Sequence, residues 1–430
     1  MAKDNTPLNQ LTAAEAARRI ARKELTSVAL VEACLARIAE REKDVQAWAF
    51  VDRTLALEQA RACDREPPRG PLHGVPLGVK DVIDTADLPT EYNSPIYKGY
   101  RPKWDAACVA QWRSAGGVIL GKTVTTEFAN NHPSHTHNPH KLTHTPGGSS
   151  SGSAASVADH MVPLALGTQT GGSTIRPAAF CGALGYKPSF NTINRAGLKF
   201  VAESLDTIGI MARSAEDAAL CVHVLSGRAV PDFRQARRAP RIGFCRTSRW
   251  QEADGVMQAK LEAVASALAK AGAKVEDVEL APVIAGLFDE HNDVMGFESA
   301  RALAWEFAHH FELLSTSLQP RLKQGWAVPR QTYDTVRTHA RTGRREFGAM
   351  MEKYDFLLTP SAAGEAPGRL DTTGNSVFNR MWTLLGVPCV TLPCGRGPQG
   401  LPLGVQLVGA FDTDSELLAW AHWTEARLPR

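Results

Sequence analysis

Three polar side chains lie in sequence surroundings that suit proton transfer or nucleophilic attack: Lys80, Ser149 and Ser173. Lys80 lies inside the apolar run VPLGVKDVID, which predicts a buried strand. Burial disfavours a charged ammonium group, so a lysine in such a strand is expected to have a lowered pKa and to accept a proton. The alternative is an edge lysine paired with Asp81 or Asp84, and the strand by itself favours that alternative.

Each of the two serines follows a pair of glycines and precedes a predicted helix. Ser149 belongs to PGGSSSGS (146–153), and Ser173 belongs to GTQTGGSTIRPAAFCG (167–182). Backbone N–H groups in a glycine-rich turn that leads into a helix can stabilise an oxyanion, helped by the helix N-terminus. The alternative for each serine is a simple helix cap, which is common. Each signal by itself is weak.

Composition places the chain among ordinary globular proteins. Its 430 residues are 43% hydrophobic and 22% charged, with a formal net charge of +3, so neither a nucleic acid nor a membrane surface is indicated as a partner. The first ten residues contain no apolar signal core, and no apolar run reaches membrane-spanning length. We therefore expect a cytoplasmic protein. Its eight cysteines form no C-x-x-C pair and are expected to be buried and reduced.

The order of the predicted elements favours an α/β fold. Thr12 and Glu15 form a capping-box pattern before the first helix, and the second helix is predicted from Ser27 to Glu40. Strands are predicted at 75–84, 117–120, 162–167, 241–245, 274–280, 355–360, 388–393 and 402–409. Helices are predicted between most of them, including one from Thr174. Such alternation predicts a mixed, twisted sheet covered by helices on both faces, preceded by N-terminal helices.

We predict one domain over residues 1–430. It consists of an N-terminal helical portion (1–70), a catalytic core (71–226) and a C-terminal part (240–430) with the remaining strands and the substrate-pocket helices. The segment 227–240 is rich in Pro and Arg. It is interpreted either as a domain boundary or as a surface crossover within one domain.

A histidine-rich stretch over residues 132–144 raises a different class of function. Its histidines are His132, His135, His137, His140 and His144. A non-catalytic protein that binds a metal through this loop is one alternative. The stretch has no H-E-x-x-H motif and no cysteine, and prolines interrupt any helix that could align two histidines. A polar loop near the mouth of an active site is favoured.

Taken together, these motifs resemble those of the amidase signature family. The resemblance runs from the N-terminal helices to the last strand and is most specific over 146–153 and 167–182, with Lys80 upstream in G-V-K-D. GLPLGVQLVG (400–409) is similar to the closing strand of that family. Within the family, these motifs and RALAWEF (301–307) look most similar to bacterial malonamidase. The resemblance implies the amidase signature fold, with no cofactor and no bound metal.

The resemblance also implies a role for each site residue. Ser173 is expected to be the nucleophile and Ser149 to relay its proton to Lys80, with a cis peptide bond between Gly148 and Ser149. The expected oxyanion donors are the backbone N–H groups of Thr170, Gly171, Gly172 and Ser173.

Three further residues are expected beside the substrate: Ser150, Thr168 and Arg176. Arg176 either grips a substrate carboxylate or has a structural role, and the two alternatives have equal weight. Gln169 replaces an aspartate that many family members carry before the T-G-G-S turn, which removes a local negative charge.

The expected function is hydrolysis of a small-molecule carboxamide to a carboxylate and ammonia through an acyl-enzyme. A malonamate-like amide with a free carboxylate is one such substrate. The alternative within the family is the glutamine-hydrolysing subunit of an amidotransferase complex. The expected partner is the small amide, with a homodimer left open. The pocket is expected between the histidine-rich loop and helices within residues 290–385.

Overall fold

The computed structural model describes residues 6–235 and 237–428, and their strands form one mixed sheet of eleven strands. The strands are β1 (Trp48–Val51), β2 (Pro76–Lys80), β3 (Val118–Thr123), β4 (Leu164–Gln169), β5 (Leu184–Lys187), β6 (Thr207–Ala212), β7 (Arg241–Phe244), β8 (Lys274–Asp277), β9 (Phe356–Pro360), β10 (Cys389–Arg396) and β11 (Pro402–Val408). Their order across the sheet is β1-β3-β2-β4-β6-β5-β10-β11-β9-β7-β8. Neighbours are parallel at β3-β2-β4 and at β9-β7-β8, and antiparallel elsewhere.

Helices connect and cover these strands. They are α1 (Ala13–Ala21), α2 (Ser27–Val45), α3 (Arg53–Arg65), α4 (Ala107–Ser114), α5 (Ser151–Ala158), α6 (Ile175–Cys181), α7 (Ala215–Ser226), α8 (Gly255–Lys270), α9 (Pro282–Ala302), α10 (Ala304–His309), α11 (Leu318–Ala327), α12 (Arg330–Met351), α13 (Arg380–Leu385) and α14 (Asp414–Glu425). The predicted α/β architecture with N-terminal helices is confirmed.

Both faces of the sheet are buried. Along β3, Val118 and Leu120 pack into one apolar cluster, whereas Ile119, which points the other way, packs into another. Along β4, Ala165 belongs to the first cluster and Leu166 to the second. Because successive strand side chains point to opposite faces, this division means that helices cover both sides.

The element boundaries differ from the predicted ones by a few residues. Thr12 caps α1 by accepting from the N–H of Glu15, as the capping-box pattern predicted, but α2 continues beyond Glu40 to Val45. The predicted strand 75–84 ends at Lys80, because the N–H groups of Val82 and Ile83 turn back onto the Lys80 carbonyl oxygen at 2.7 and 3.0 Å. Lys80 is therefore the last residue of its strand.

The Pro/Arg-rich segment 227–240 does not interrupt the sheet. β6 lies before the segment and β7 after it, and both strands belong to the same eleven-stranded sheet of the described residues. This continuity favours the surface crossover over the domain boundary, and the single domain stays a prediction.

All eight cysteines are buried with free thiols, as expected for small apolar side chains in a core. Among the described residues, no helix combines the length and the apolar composition that crossing a membrane requires.

Candidate active site

Lys80 reaches the site because two parallel strands end side by side. β2 and β4 are neighbours, with Val79 opposite Leu166, so Lys80 lies beside the last residues of β4. Lys80 Nζ donates hydrogen bonds to Ser149 Oγ and to Thr168 Oγ1, both at 2.7 Å. The sheet thus positions the Lys80 amine within hydrogen-bond distance of two hydroxyl groups.

The surroundings of Lys80 favour its neutral form. The side chain is fully buried, and this burial holds the pKa of the amine well below its ordinary value, while the negative charge of Asp206 opposes the shift. The edge-lysine alternative is wrong. β2 lies between β3 and β4, and Asp81 pairs with Lys122 at 3.1 Å; Asp84 likewise forms no ion pair with Lys80 among the described residues.

The glycine- and serine-rich run 146–153 is buried and is not a flexible linker. Gly147 has a φ of 82°, in the left-handed region that favours glycine. A Cβ atom on Gly152 would lie 2.1 Å from the carbonyl oxygen of Ala47, so the chain can approach this closely only with glycine there. The small glycine and serine residues of this run, which resemble the composition of a linker, are therefore required by close packing.

Ser173 presents a half-buried hydroxyl that is not committed to the fold. Within the described residues its Oγ forms no hydrogen bond, and its carbonyl oxygen accepts from Ser150 N at 3.3 Å. The helix-cap alternative is wrong, because α6 begins only at Ile175. Gln169 Oε1 instead accepts from the N–H groups of Thr174 and Ile175, at 3.0 and 3.1 Å.

Of the predicted proton relay, the structure shows the first link. Lys80 and Ser149 are hydrogen-bonded through their side chains, whereas no hydrogen bond joins Ser149 Oγ to Ser173 Oγ. The Ser173 hydroxyl turns about a single bond, so its orientation decides whether the second link forms.

The turn over residues 170–173 is arranged as a set of backbone donors. In the described part of the chain, none of its four N–H groups donates to a protein acceptor. Its carbonyl oxygens accept from His291 Nε2 (Thr170, 2.7 Å), Thr383 Oγ1 (Gly171, 2.8 Å) and Arg176 N (Gly172, 2.9 Å). A hydrogen bond to a carbonyl polarises its amide, so each of these contacts strengthens the next N–H as a donor. Such fixed donors suit the oxyanion site predicted here.

Ser150 and Thr168 were predicted to contact the substrate, but the structure places both inside the frame of the site. Both residues are buried. Ser150 Oγ donates to the Thr168 carbonyl oxygen and accepts from Thr168 N, each at 3.2 Å, while Thr168 Oγ1 accepts from Lys80. Their contacts hold Lys80 and the turn together, so we assign them positioning roles.

Arg176 is committed to the loop that carries Ser149. The peptide bond between Gly148 and Ser149 is cis, as the resemblance implies. Arg176 Nη2 donates to the carbonyl oxygen of Gly148 at 2.7 Å and to Thr373 Oγ1 at 3.2 Å, and the side chain is buried. Of the two alternatives, this geometry favours the structural role.

We expect Arg176→Gln to lower kcat/KM by about 10²-fold on neutral and on carboxylate-bearing amides alike, because a displaced Gly148 carbonyl misplaces Ser149. Ammonia release from a matched neutral and acidic amide checks this. A loss restricted to the acidic amide would instead assign the substrate carboxylate to Arg176.

Sequence reasoning missed Asp206, because the loop that contains it has no recognisable motif. Its side chain nevertheless supports the site. Asp206 Oδ1 accepts from Thr170 Oγ1 at 2.5 Å, and its Oδ2 accepts from the N–H groups of Val201 and Ala202 at 2.7 and 3.1 Å. Burial raises the pKa of Asp206 to about 6. Its carboxylate therefore fixes the turn and also acts on Lys80 through its charge.

Three further positioning residues lie behind the turn: Gln169, His291 and Thr383. Burial lowers the pKa of His291 to about 4, so this histidine is neutral when it donates to Thr170. Gln169 Nε2 donates to Thr383 Oγ1 at 3.0 Å. Only Gln169 gave a sequence signal, as a departure from the family pattern. His291 and Thr383 lie more than 100 residues away in the chain from the turn that they hold.

We expect Asp206→Asn to move the acid limb of the pH profile of kcat/KM to lower pH. The negative charge of Asp206 favours the protonated form of Lys80, so removing it lowers the pKa of Lys80 and leaves the amine neutral at a more acidic pH. The control is Asp217→Asn, a buried aspartate whose pKa is also raised to about 6 but which accepts from Ala14 N. An unmoved acid limb in Asp206→Asn would contradict the coupling.

A cavity of about 360 Å³ has Arg380 in its wall and is otherwise lined by Asn130, Val328 and residues of α9 and α11, among them Arg321. Arg380 Cγ also lies 3.8 Å from the position of a Cβ atom on Gly171, so this side chain lies between the cavity and the 170–173 turn. The predicted contribution of helices within 290–385 agrees with this lining. The histidine-rich loop contributes no histidine to it.

The histidines of the stretch 132–144 are not gathered around one point. His137 Nδ1 bonds to the Leu142 carbonyl oxygen at 2.6 Å, and His140 Nε2 to that of Cys181 at 2.8 Å. Over residues 6–235 and 237–428, no group of three His, Cys, Asp or Glu side chains is placed to hold a metal ion. The metal-binding alternative has no geometric support.

Comparisons with known proteins show the family to which the chain belongs. The family model described as Amidase matches residues 29–418. The chain is 35% identical over 465 aligned positions to the A subunit of glutamyl-tRNA(Gln) amidotransferase from Roseiflexus castenholzii, covering 96% of this chain and 95% of that protein. For the corresponding protein of Symbiobacterium thermophilum the identity is 33% over 469 positions, covering 96% of each chain.

Two solved structures are also similar. One is a crystal structure of an amidase, with a TM-score of 0.89 and 28% identity, covering 97% of this chain and 100% of that one. The other is the native peptide amidase of Stenotrophomonas maltophilia, with a TM-score of 0.84 and 31% identity, covering 98% of each chain. The chain belongs to the amidase signature family, and it is a hydrolase that acts on carbon–nitrogen amide bonds.

Proposed function

We propose that this chain hydrolyses a carboxamide to a carboxylate and ammonia through an acyl-enzyme on Ser173, with Ser149 and Lys80 as the proton relay. The observation that carries the proposal is the contact of 2.7 Å between Ser149 Oγ and the buried Lys80 amine, whose pKa is strongly lowered. Ser173 adjoins this contact, since its carbonyl oxygen accepts from Ser150 N at 3.3 Å. Within the described residues the Ser173 hydroxyl forms no hydrogen bond and the N–H groups of residues 170–173 donate to no protein acceptor.

In the first half of the reaction, neutral Lys80 takes the proton of Ser149 while Ser149 takes that of Ser173. Ser173 Oγ then attacks the amide carbonyl carbon, and the N–H groups of the 170–173 turn hold the negative oxygen of the tetrahedral intermediate. Protonated Lys80 returns its proton through Ser149 to the leaving nitrogen. The carbon–nitrogen bond breaks and ammonia leaves.

In the second half, water replaces the amine. Lys80 takes a proton from water through Ser149, and the resulting hydroxide attacks the ester carbonyl carbon of the acyl-enzyme. The same N–H donors hold the second oxyanion. The proton returns to Ser173 Oγ as the carbon–oxygen bond breaks, which releases the carboxylic acid and restores the enzyme. General acid–base transfer of this kind typically contributes about 10²–10⁴-fold.

Two substrates are candidates, and both carry a free carboxylate. The first is glutamine, hydrolysed within an amidotransferase complex. It is supported by the identity of 33–35% to proteins named as the A subunit of glutamyl-tRNA(Gln) amidotransferase. The second is a short malonamate-like amide, supported by the motif resemblance to malonamidase and by the likeness to an amidase and a peptide amidase. The curated relatives support the glutamine candidate more directly.

This chain is shorter than the regions of those relatives with which it aligns. The alignments run over 465–469 positions, whereas this chain has 430 residues, so the relatives contain residues that this chain lacks. Insertions and deletions are tolerated mainly in surface loops, and such loops disproportionately carry binding residues. The malonamate-like candidate, and with it a homodimer, therefore stays beside the glutamine candidate.

The test is ammonia release from glutamine, malonamate and propionamide by the purified chain, alone and with the other subunits of a glutamyl-tRNA(Gln) amidotransferase. Release from malonamate by the chain alone supports a free-standing amidase. Release from glutamine that requires the other subunits supports a role within the amidotransferase. No ammonia from any amide in either condition would refute the proposed function.

A further inference from the structure

Arg380 is a cation beside the 170–173 turn that pairs with no carboxylate among the described residues. It lies at the start of α13, half-buried, and its Nε donates to Ser376 Oγ at 2.9 Å. Within the described residues, Nη1 and Nη2 donate to no acceptor, and no carboxylate lies within 4 Å of the guanidinium group. The bond through Nε orients the guanidinium group and leaves Nη1 and Nη2 available for a two-pronged contact with a carboxylate.

Two other arginines in the same area, Arg249 and Arg176, are neutralised or committed. Arg249 stacks on the Phe288 ring at 4.3 Å and pairs with Asp289. Arg380 lies 5.8 Å from the same ring and forms no ion pair with any described residue. Arg176 Nη2 donates a hydrogen bond to the Gly148 carbonyl oxygen. The two terminal nitrogens of Arg380, which donate to no acceptor among the described residues, thus distinguish it from Arg249 and Arg176.

The cavity beside Arg380 has an excess of positive charge. Two arginines, Arg321 and Arg380, line it against one carboxylate, Asp293. Burial lowers the pKa of both guanidinium groups, and the charge of Arg321 lowers the pKa of Arg380 further. A half-buried cation with a second cation nearby is costly unless an anion joins them.

The position of Arg380 fits a substrate attached at Ser173. Arg380 Cγ is 3.8 Å, and Ser376 Oγ 3.7 Å, from a Cβ atom built on Gly171. Gly171 lies two residues before the nucleophile and belongs to the turn of oxyanion donors. Because Nε of Arg380 donates to that same Ser376 Oγ at 2.9 Å, the guanidinium group lies near the turn, and the other end of a small molecule whose carbonyl oxygen lies in the turn can extend to it.

We propose that Nη1 and Nη2 of Arg380 bind a free carboxylate of the substrate in a two-pronged contact, so that Arg380, and not Arg176, selects carboxylate-bearing amides. This inference rests on the proposed function, which it makes more specific: the substrate class is a carboxamide that carries a carboxylate a few bonds from the scissile carbonyl carbon. Glutamine and malonamate both belong to that class.

The kinetic test compares each acidic amide with its neutral ester: malonamate with methyl malonamate, and glutamine with glutamine methyl ester. In Arg380→Gln, kcat/KM for the acid is expected to fall by about 10–100-fold, chiefly through KM, since a hydrogen-bonded charge pair is lost. The value for the ester is expected to stay within about threefold. An equal loss on acid and ester, or no loss on either, would overturn the inference.

The matched control is Arg249→Gln, which removes an arginine from the same aromatic ring but one already paired with Asp289. We expect it to leave the ratio of acid to ester unchanged. If Arg249→Gln lowered that ratio as much as Arg380→Gln does, long-range charge and not the Arg380 fork would explain the effect.

A binding measurement separates this inference from the proposed function. Malonate, a dicarboxylate without an amide, is titrated calorimetrically into the wild type, Ser173→Ala and Arg380→Gln. Binding to the first two with a loss of about 10–100-fold in Arg380→Gln supports the inference whatever the chain hydrolyses. A chain that hydrolyses neutral amides but neither binds malonate nor prefers the acids would overturn the inference and leave the proposed function intact.

Discussion

Ser173→Ala is expected to lower kcat for amide hydrolysis by on the order of 10⁶-fold while leaving the free energy of unfolding almost unchanged. The first part follows from the loss of the nucleophile that forms the acyl-enzyme. The second follows from the structure, because Ser173 Oγ makes no hydrogen bond that folding would lose within the described residues. Ammonia release and a denaturant titration measure the two parts.

The control for this variant is Ser156→Ala. Ser156 is a buried serine on α5, and its Oγ donates to the Ser153 carbonyl oxygen at 3.1 Å. Its removal is expected to cost stability, by about 1 kcal/mol, with little effect on kcat. Mass spectrometry after treatment with a serine-directed electrophile adds an independent readout, since the label is expected on the peptide that contains Ser173. A Ser173→Ala enzyme that still turns over would remove Ser173 from the mechanism.

The parts of the fold and site that sequence could predict are those encoded locally. Lys80 in an apolar strand, Ser149 and Ser173 after glycine pairs, and the turn between β4 and α6 are all set by short motifs. The sheet brings these motifs together because β2 and β4 are parallel neighbours whose carboxyl ends share one edge. The alternation of strands and helices predicted that class of sheet.

What the sequence could not predict depends on side chains that meet across long stretches of chain. His291 and Thr383 are 121 and 212 residues from the carbonyl groups that they bind, and no periodicity reports such a contact. Asp206 belongs to a loop without a motif. Arg176 looked like a substrate ligand from its place after the nucleophile, and only the contact with Gly148 shows what it holds. Arg380 is noticeable only because, in the described part of the chain, no carboxylate oxygen lies within 4 Å of its guanidinium group.

Lys80→Met is expected to lower kcat/KM by about 10³–10⁴-fold, because the relay loses the group that accepts the proton. Its effect on stability depends on pH. Burial lowers the pKa of folded Lys80 below that of the unfolded chain, so between those two pKa values the unfolded state binds a proton that the folded state does not. The wild type therefore gains stability as pH rises through that window, by about 1.4 kcal/mol per pH unit from this residue.

The methionine side chain has no group that binds a proton, so the gain in stability with rising pH that comes from residue 80 disappears in Lys80→Met. The wild type minus variant difference in free energy of unfolding should rise with pH across the window. Lys187→Met is the matched control. Lys187 is also fully buried with a pKa lowered by burial, but its Nζ donates to the Pro188 carbonyl oxygen, outside the site. We expect Lys187→Met to reproduce the direction of the pH-dependent stability change and to retain activity.

The pair of lysine variants separates two consequences of one physical cause. At both positions, burying a lysine lowers the free energy of unfolding at neutral pH. Only at Lys80 does the neutral amine contact a serine hydroxyl. If Lys80→Met lost activity without changing the pH dependence of unfolding, Lys80 would be charged in the folded enzyme. It could not then be the base that activates Ser149 and Ser173, and the proton relay would need another acceptor.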